Sequence, residues 1–374
     1  MTLFFCYQNR GRRLLSGAAL ALSLGVVALS PRQSLADPFE FTFQQLAPGV
    51  WAGVRADCYE MPVMGSTTFV ISDEGVVVFD GGGVPKMAEL TIAKIRTLTG
   101  APVTHLIISH WHGDHNLGIH RFLEEYPGAQ VIGHAFTRAA MTGPRMDYAR
   151  KKDRVAGYIT QFQTALDSGV DLNGDPLVDF TREWLERFLR DADLVDREYR
   201  RSEITPPTIT FRDSLVIHSG GRRIEALFLG EANTAGDIVL WLPQEKIVAA
   251  GDMVVYPTPY GFSVPPRPWA AALKRLKALN FEILVPGHGD IQYDSRYLDL
   301  LIETAESIAD QRDNMIADGL DTAQVKERLD FSHFEERFTR GDPIRAYRFR
   351  TWFTEPFRAA AIKALTGEPM VDPE

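Results

Sequence analysis

Residues 109–115 read Ser109-His110-Trp111-His112-Gly113-Asp114-His115. The run places three imidazoles and one carboxylate, those of His110, His112, Asp114 and His115, within six positions. It follows His105-Leu106-Ile107-Ile108-Ser109, an apolar stretch that reads as a short buried strand. Histidine nitrogens and a carboxylate oxygen crowded at a strand end form a ligand set suited to zinc-like ions. Four ligands on one bent loop can point two ways, so two neighbouring metals are conceivable. Unspecific His-rich tracts lie in polar low-complexity segments, whereas this cluster sits between an apolar strand and an amphipathic helical pattern.

The order His110-Trp111-His112-Gly113-Asp114-His115 resembles the His-x-His-x-Asp-His signature of the metallo-β-lactamase superfamily. Further segments extend the resemblance from about Val50 to His288. Gly251-Asp252, after Lys246-Ile247-Val248-Ala249-Ala250, resembles the strand that ends in a metal-bridging aspartate. Pro286-Gly287-His288-Gly289, after Phe281-Glu282-Ile283-Leu284-Val285, resembles the segment with the final histidine ligand. Gly230-Glu231-Ala232-Asn233-Thr234-Ala235-Gly236-Asp237 matches a segment that usually carries a histidine before threonine, and here Asn233 stands in its place. The resemblance implies that His110, His112 and Asn233 address a first metal. It implies that Asp114, His115 and His288 address a second, and that Asp252 bridges or leans toward the second. Asp114 would also orient the nucleophile. A carboxamide oxygen is neutral and a poorer zinc ligand than imidazole, so the first site is expected to be the weaker. One or two Zn2+ per chain are expected, with iron as the alternative metal.

Residues 1–36 read as a secretory signal peptide. Arg10, Arg12 and Arg13 form a basic start, Leu14–Leu29 is apolar over 16 residues, and Ser34-Leu35-Ala36 offers small residues for cleavage before Asp37. Sixteen residues are short for a membrane-crossing helix. Export to the periplasm by the Sec route is expected, and the Arg12-Arg13 pair also permits the twin-arginine route. Removing 36 of 374 residues leaves 338 and takes the formal charge from −9 to −13, because four arginines and no acids leave. A surface this acidic argues against nucleic-acid partners. After leader removal no membrane association is expected. Cys58 then remains alone, so an internal disulfide is ruled out for the mature chain, and the residue reads as a small packed side chain.

Stretches 41–54 and 66–80 read as paired strands, the latter turning at Ser72-Asp73-Glu74 and ending at Asp80-Gly81-Gly82-Gly83. Asp80 either supports the metal loop or caps its own. Met87, Leu90, Ile92, Ile95 and Leu98 predict a helix over 86–99. Strand 104–108, a helix from about 116 to 126, a strand at 129–132 and a second set of strands over 207–250 follow. Periodicity supports a mixed α/β layered domain, and the resemblance implies a four-layer αββα sandwich over residues 37–294. Residues 141–204 read as a helical insertion, either a lid over the site or a solvated appendage. Residues 295–374 read as a C-terminal helical extension, with Asp321-Thr322-Ala323-Gln324 as a helix start, packing on the sandwich or forming a homodimer contact.

The function implied is a metallohydrolase in which metal-bound hydroxide attacks a small-molecule ester, lactone, lactam or sulfate. The alternatives are iron-dependent thiol or persulfide oxidation on the same fold, and a metal-binding accessory protein without turnover. The aromatic loop Val255-Tyr256-Pro257-Thr258-Pro259-Tyr260-Gly261-Phe262 leaves a ligand-bearing strand, so Tyr256 and Tyr260 are candidate substrate contacts, Tyr260 also as an oxyanion donor. The segment 57–64, with Met61 and Met64, is a candidate flank of the cleft. His134 faces either the cleft or a structural role; His105 reads as structural, and His120, His218 and His333 carry no assignment.

Overall fold

The computed structural model describes residues 37–55, 62–171, 174–261 and 265–366. Residues 1–36, read above as a signal peptide, and Cys58 and Met61 lie outside the described residues. The first sheet holds seven strands: β1 (Thr42–Ala47), β2 (Val50–Val54), β3 (Thr67–Ser72), β4 (Gly75–Phe79), β5 (Val103–Ile108), β6 (Gln130–His134) and β7 (Ile209–Phe211), neighbours in that order. β1 to β4 pair antiparallel, and β4 to β7 pair parallel. The second sheet holds β8 (Ser214–Ser219), β9 (Arg222–Leu227), β10 (Val239–Leu242), β11 (Ile247–Ala249) and β12 (Ile283–Val285), with β11 and β12 parallel.

Period-2 alternation stacks these sheets into layers. Val77, Phe79, Ile107 and Ile132 of the first sheet meet Ile224, Leu240, Leu242, Ile247 and Val285 of the second in one buried cluster. The intervening residues Val76, Val78, Leu106 and Ile108 face outward against Ala88, Ile92 and Ile95 of α1 (Pro85–Leu98). On the far side Val239, Trp241, Val248 and Leu284 pack under other helices. The central strands are therefore buried on both faces, which is why they read as continuous apolar runs. A one-residue register slip would send Val77 and Phe79 to the wrong layer.

The metal loop is followed by α2 (Gly113–Asn116) and α3 (Ile119–Glu125). The helix expected from about 116 is thus broken at Leu117-Gly118. The break follows from packing: a Cβ on Gly118 would lie 2.4 Å from the Gly81 carbonyl oxygen, and the Gly118 N–H donates to the Gly82 carbonyl at 2.9 Å. After α4 (Ala135–Thr142), residues 141–204 hold α5 (Asp147–Arg150), α6 (Arg154–Ser168) and α7 (Asp179–Arg201). β7, expected among the second set of strands, instead extends the first sheet beside β6, because the chain re-enters there after the insertion. Val155, Phe162, Leu185 and Phe188 of the insertion share a cluster with Met64, Met87 and Trp352.

The outer layer over the second sheet is formed by α8 (Pro266–Ala278), α9 (Arg296–Ala317), α10 (Thr322–Arg328), α11 (Ser332–Thr339) and α13 (Glu355–Thr366), with a π-helical turn over Phe349–Thr354, while α12 (Pro343–Arg348) turns Tyr347 against Phe180 of the insertion. The stripe Leu298, Leu301, Ile302, Ala305 and Ile308 is buried in that layer. Asp321 caps α10 reciprocally with Gln324. Among the described residues no helix is long and apolar enough to cross a membrane.

Candidate metal centre

Four strands deliver the site from their C-terminal ends. β4 runs into Asp80, β5 into Ser109 and the histidine loop, β11 into Gly251-Asp252, and β12 into Pro286-Gly287-His288. Backbone bonds fix these exits: Gly287 N–H donates to Gly251 O at 2.8 Å, Ile238 N–H to Ser109 O at 3.0 Å, and Ser66 N–H to Gly287 O at 2.7 Å. Two glycines permit the convergence. A Cβ on Gly65 would lie 2.3 Å from the His115 ring, and one on Gly287 would lie 2.1 Å from Asp252 Oδ1.

Asp80 organises the loop from beneath. Its backbone is left-handed, with φ 62°, which aspartate tolerates better than most side chains. Oδ1 accepts the Ser109 N–H at 2.8 Å, while Oδ2 accepts Ser109 Oγ at 2.7 Å and lies 2.9 Å from His115 Nδ1. The carboxylate thereby both holds the strand exit and turns His115 Nε2 toward the cluster. Asn116, which sequence reasoning passed over, donates from Nδ2 to the carbonyls of His112 at 2.7 Å and His110 at 3.3 Å. An amide directly after the cluster was the available signal.

His115 Nε2 lies 3.1 Å from Asp252 Oδ1 and 3.5 Å from Asp114 Oδ2. His288 Nε2 lies 3.2 Å from Asp114 Oδ2, 3.3 Å from Asp252 Oδ1 and 3.2 Å from His115 Nε2. His110 Nε2 is 3.6 Å from Asp252 Oδ2, and its other nitrogen lies 2.9 Å from Ser109 Oγ. Two sets, His110-His115-Asp252 and Asp114-His115-His288, each bring their ligand atoms within 4.8 Å of one another. His112 turns Nδ1 to Asn233 Nδ2 at 3.2 Å, and Asn233 Nδ2 donates to Asp252 Oδ2 at 3.1 Å. Asn233 thus stands between His112 and Asp252, on a loop held by the Thr234 amide and hydroxyl, both bonded to Asp237 Oδ2 at 2.5 Å.

The electrostatics describe a place that demands positive charge. Burial opposes an imidazolium at His115, yet the carboxylates of Asp252, Asp114 and Asp80 outweigh it and hold the group well above the ordinary imidazole range. His288 is raised in the same way, burial being overcome by Asp252 and Asp114. Burial also opposes the charge on Asp252 and Asp114, but the facing histidines pull both below the usual carboxylate range. His110 is pushed well below, first by burial and then by His115, and stays neutral. Its buried Nε2 has no hydrogen-bond partner among the described residues. A buried lone pair without a donor, beside carboxylates, fits a cation.

The expected substrate tyrosines separate. Tyr260 lines a small pocket with Ala232, Asn233, Asp252, Gly261, Trp269 and Phe357, its ring 5.6 Å from that of His288. Tyr256 turns away and packs edge-on against Tyr297 at 4.9 Å. Met64 sits beside the metal loop, where a Cβ on Gly83 would lie 2.3 Å from its sulfur. His134 is structural: Nδ1 caps α4 by accepting the Phe136 N–H at 3.2 Å, and the ring stacks on Phe228 at 4.5 Å.

The metallo-beta-lactamase superfamily model matches residues 61–288, from the segment before β3 to the last histidine of this cluster. The chain belongs to that superfamily. The linear primary-alkylsulfatase of Pseudomonas sp. (strain ATCC 19151) is 23% identical over 268 residues, covering 68% of this chain and 48% of that protein. The atrochrysone carboxyl ACP thioesterase of Aspergillus terreus is 26% identical over 86 residues, 22% of this chain and 27% of that protein. The chain therefore spans about half or less of these relatives' lengths. Among solved structures, the inverting sec-alkylsulfatase Pisa1 from Pseudomonas sp. superposes with a TM-score of 0.55 at 13% identity, over 88% of this chain and 51% of that one, a likeness of fold.

Proposed function

We propose that this member of the superfamily is a zinc-dependent hydrolase of small-molecule ester-type bonds, with sulfate esters first in line and carboxylic esters, lactones and lactams after them. The observation that carries the reading is the convergence of His110, His115, Asp252, Asp114 and His288 on one buried point beside a pocket. The similarity to a linear primary-alkylsulfatase over 68% of the chain supports the choice of sulfate. In this reading His110, His112 and Asn233 would hold a first ion and Asp114, His115 and His288 a second, with Asp252 shared or belonging to the second.

Bound divalent ions supply Lewis acidity and lower the pKa of water toward neutrality. The protein's own groups do the rest. Asp80 fixes the His115 tautomer with the proton on Nδ1, leaving Nε2 as the ligand atom. Asp114 is the cluster carboxylate that faces the cleft, with 23% of its side chain exposed against 3% for Asp252. It is placed to accept a hydrogen bond from an attacking water and orient it. Trp269 and Phe357 give the pocket apolar lining, and Tyr260, which lines it beside Asp252 and Asn233, is the candidate for contact with substrate oxygen. The test is hydrolysis of aryl sulfate, aryl ester, lactone, β-lactam and phosphodiester, each with chelator and with zinc restored. Turnover of a sulfate or ester that chelator removes and zinc restores is the expected result. No turnover of any member by metal-loaded protein would overturn the proposal.

A further inference from the structure

The helical insertion packs Met146 and Ala149 against Trp111 and Leu117, and it reaches the backbone of the metal loop through a hydroxyl. Tyr148, on α5, accepts a hydrogen bond from the backbone N–H of Gly113 at 3.0 Å. Gly113 opens α2, so its amide has no acceptor within the helix, and the insertion supplies one. The fit is close. A Cβ on Gly113 would lie 2.7 Å from Tyr148 Oη and 2.8 Å from Leu117 Cδ1. The helix carrying Tyr148 is held by two arginines near its C-terminal end: Arg150 Nη1 donates to the Gly143 carbonyl at 2.9 Å, and Arg154 Nη1 to the Ala149 carbonyl at 2.8 Å. Arg154 in turn lies over the Tyr199 ring at 4.1 Å. Burial and then the Asp114 charge keep the Tyr148 hydroxyl protonated.

We propose that Tyr148 is a positioning residue for the candidate metal centre, setting the Gly113-Asp114 turn so that the Asp114 carboxylate meets the Nε2 atoms of His115 and His288. Gly113 lies between the two ligand residues His112 and Asp114. The turn is held on its other side by Gly65, whose N–H donates to the Asp114 carbonyl at 3.2 Å. With the hydroxyl removed, the Gly113 amide loses its acceptor and that flank of the turn its restraint. The insertion then has a definite role: it completes the support of the Asp114 ligand from outside the sandwich. This inference rests on the metal-dependent reading of the site.

The experiment titrates metal-free protein with Co2+ against a competing chelator, following the d–d absorption, for the wild type, Tyr148→Phe and Tyr158→Phe. Tyr158 belongs to the same insertion, packs on Phe162 and Phe188, and has no hydrogen bond to the loop among the described residues, so it controls for general loosening. The expected result is a 10–100-fold weaker cobalt site in Tyr148→Phe, the usual effect of removing an outer support, with an altered cobalt spectrum and with Tyr158→Phe close to wild type. Wild-type affinity and spectrum in Tyr148→Phe, or equal weakening in Tyr158→Phe, would overturn the inference and leave the metal centre standing. A wild type that binds no cobalt would overturn both.

Discussion

Replacing Asp80 by asparagine tests the support beneath the cluster with little change of shape. The carboxylate receives three contacts, from Ser109 N at 2.8 Å, Ser109 Oγ at 2.7 Å and His115 Nδ1 at 2.9 Å, at a residue 1% exposed. An amide can satisfy them in neither orientation. With its oxygen at the Oδ1 position, the NH2 faces His115 Nδ1, which must then accept and carry its proton on Nε2, the atom turned to the metals. With its oxygen at the Oδ2 position, the NH2 confronts the Ser109 N–H, leaving a buried donor unsatisfied at a cost of about 1–3 kcal/mol. The protein adopts whichever arrangement costs less. We expect zinc affinity to fall about 10–100-fold, about 1.4–2.7 kcal/mol, and the metal-free protein to lose about 1–3 kcal/mol of stability. Chelator competition and denaturant unfolding of metal-free protein measure the two quantities. A variant unchanged in both would refute the reasoning, because it would mean that the Asp80 contacts set neither the tautomer nor the strand exit.

In Gly287→Ala the new methyl would lie 2.1 Å from Asp252 Oδ1, 2.6 Å from the Gly251 carbonyl carbon and 2.8 Å from the Asp252 nitrogen, so both the Asp252 side chain and its backbone must shift. A displacement near 1 Å at a reacting centre costs about 100-fold in rate, read as kcat/KM on whichever substrate the panel identifies, with circular dichroism confirming the fold; wild-type turnover would show that Asp252 is not needed there. Asn233→His places imidazole beside His112 and Asp252 and should raise the metal retained after dialysis toward two ions per chain, so an unchanged stoichiometry would show that Asn233 is no handicap. In metal-free protein the raised His115 and His288 lend stability that is complete below about pH 6.5 and lost as pH rises through their folded values. The depressed Asp114 and Asp252 lend stability that is present above about pH 3.8 and lost as pH falls through theirs. The unfolding temperature of metal-free protein should therefore decline on both sides of the mildly acid range, and zinc should abolish the alkaline decline while releasing protons, as calorimetry in two buffers reports; a flat profile would count against the pairing.

The candidate ligand residues were legible where they cluster at the exits of apolar runs. A buried strand is a continuous stretch of β-branched residues, and chemistry-bearing side chains at its exit stand out against it. That local pattern marked His110, His112, Asp114 and His115, and the resemblance to the superfamily's segments added Asp252, His288 and Asn233. Helix α10 was legible from its cap for the same reason, since both halves of the capping box lie three residues apart. What the chain concealed depends on contacts between distant residues. The break at Gly118 exists because Gly81 and Gly82 pass beside it. β7 joins the first sheet because its partner β6 lies across the insertion. Tyr256 and Tyr260, four residues apart on one aromatic loop, are parted by Tyr297 and His288, which arrive from elsewhere in the chain. Tyr148 lies 35 residues from Gly113 and carries no local mark of its role. Periodicity and motif report a residue's own neighbourhood, so they determined which groups the site contains; close packing of elements far apart in sequence decided which of those groups meet, and at what distance.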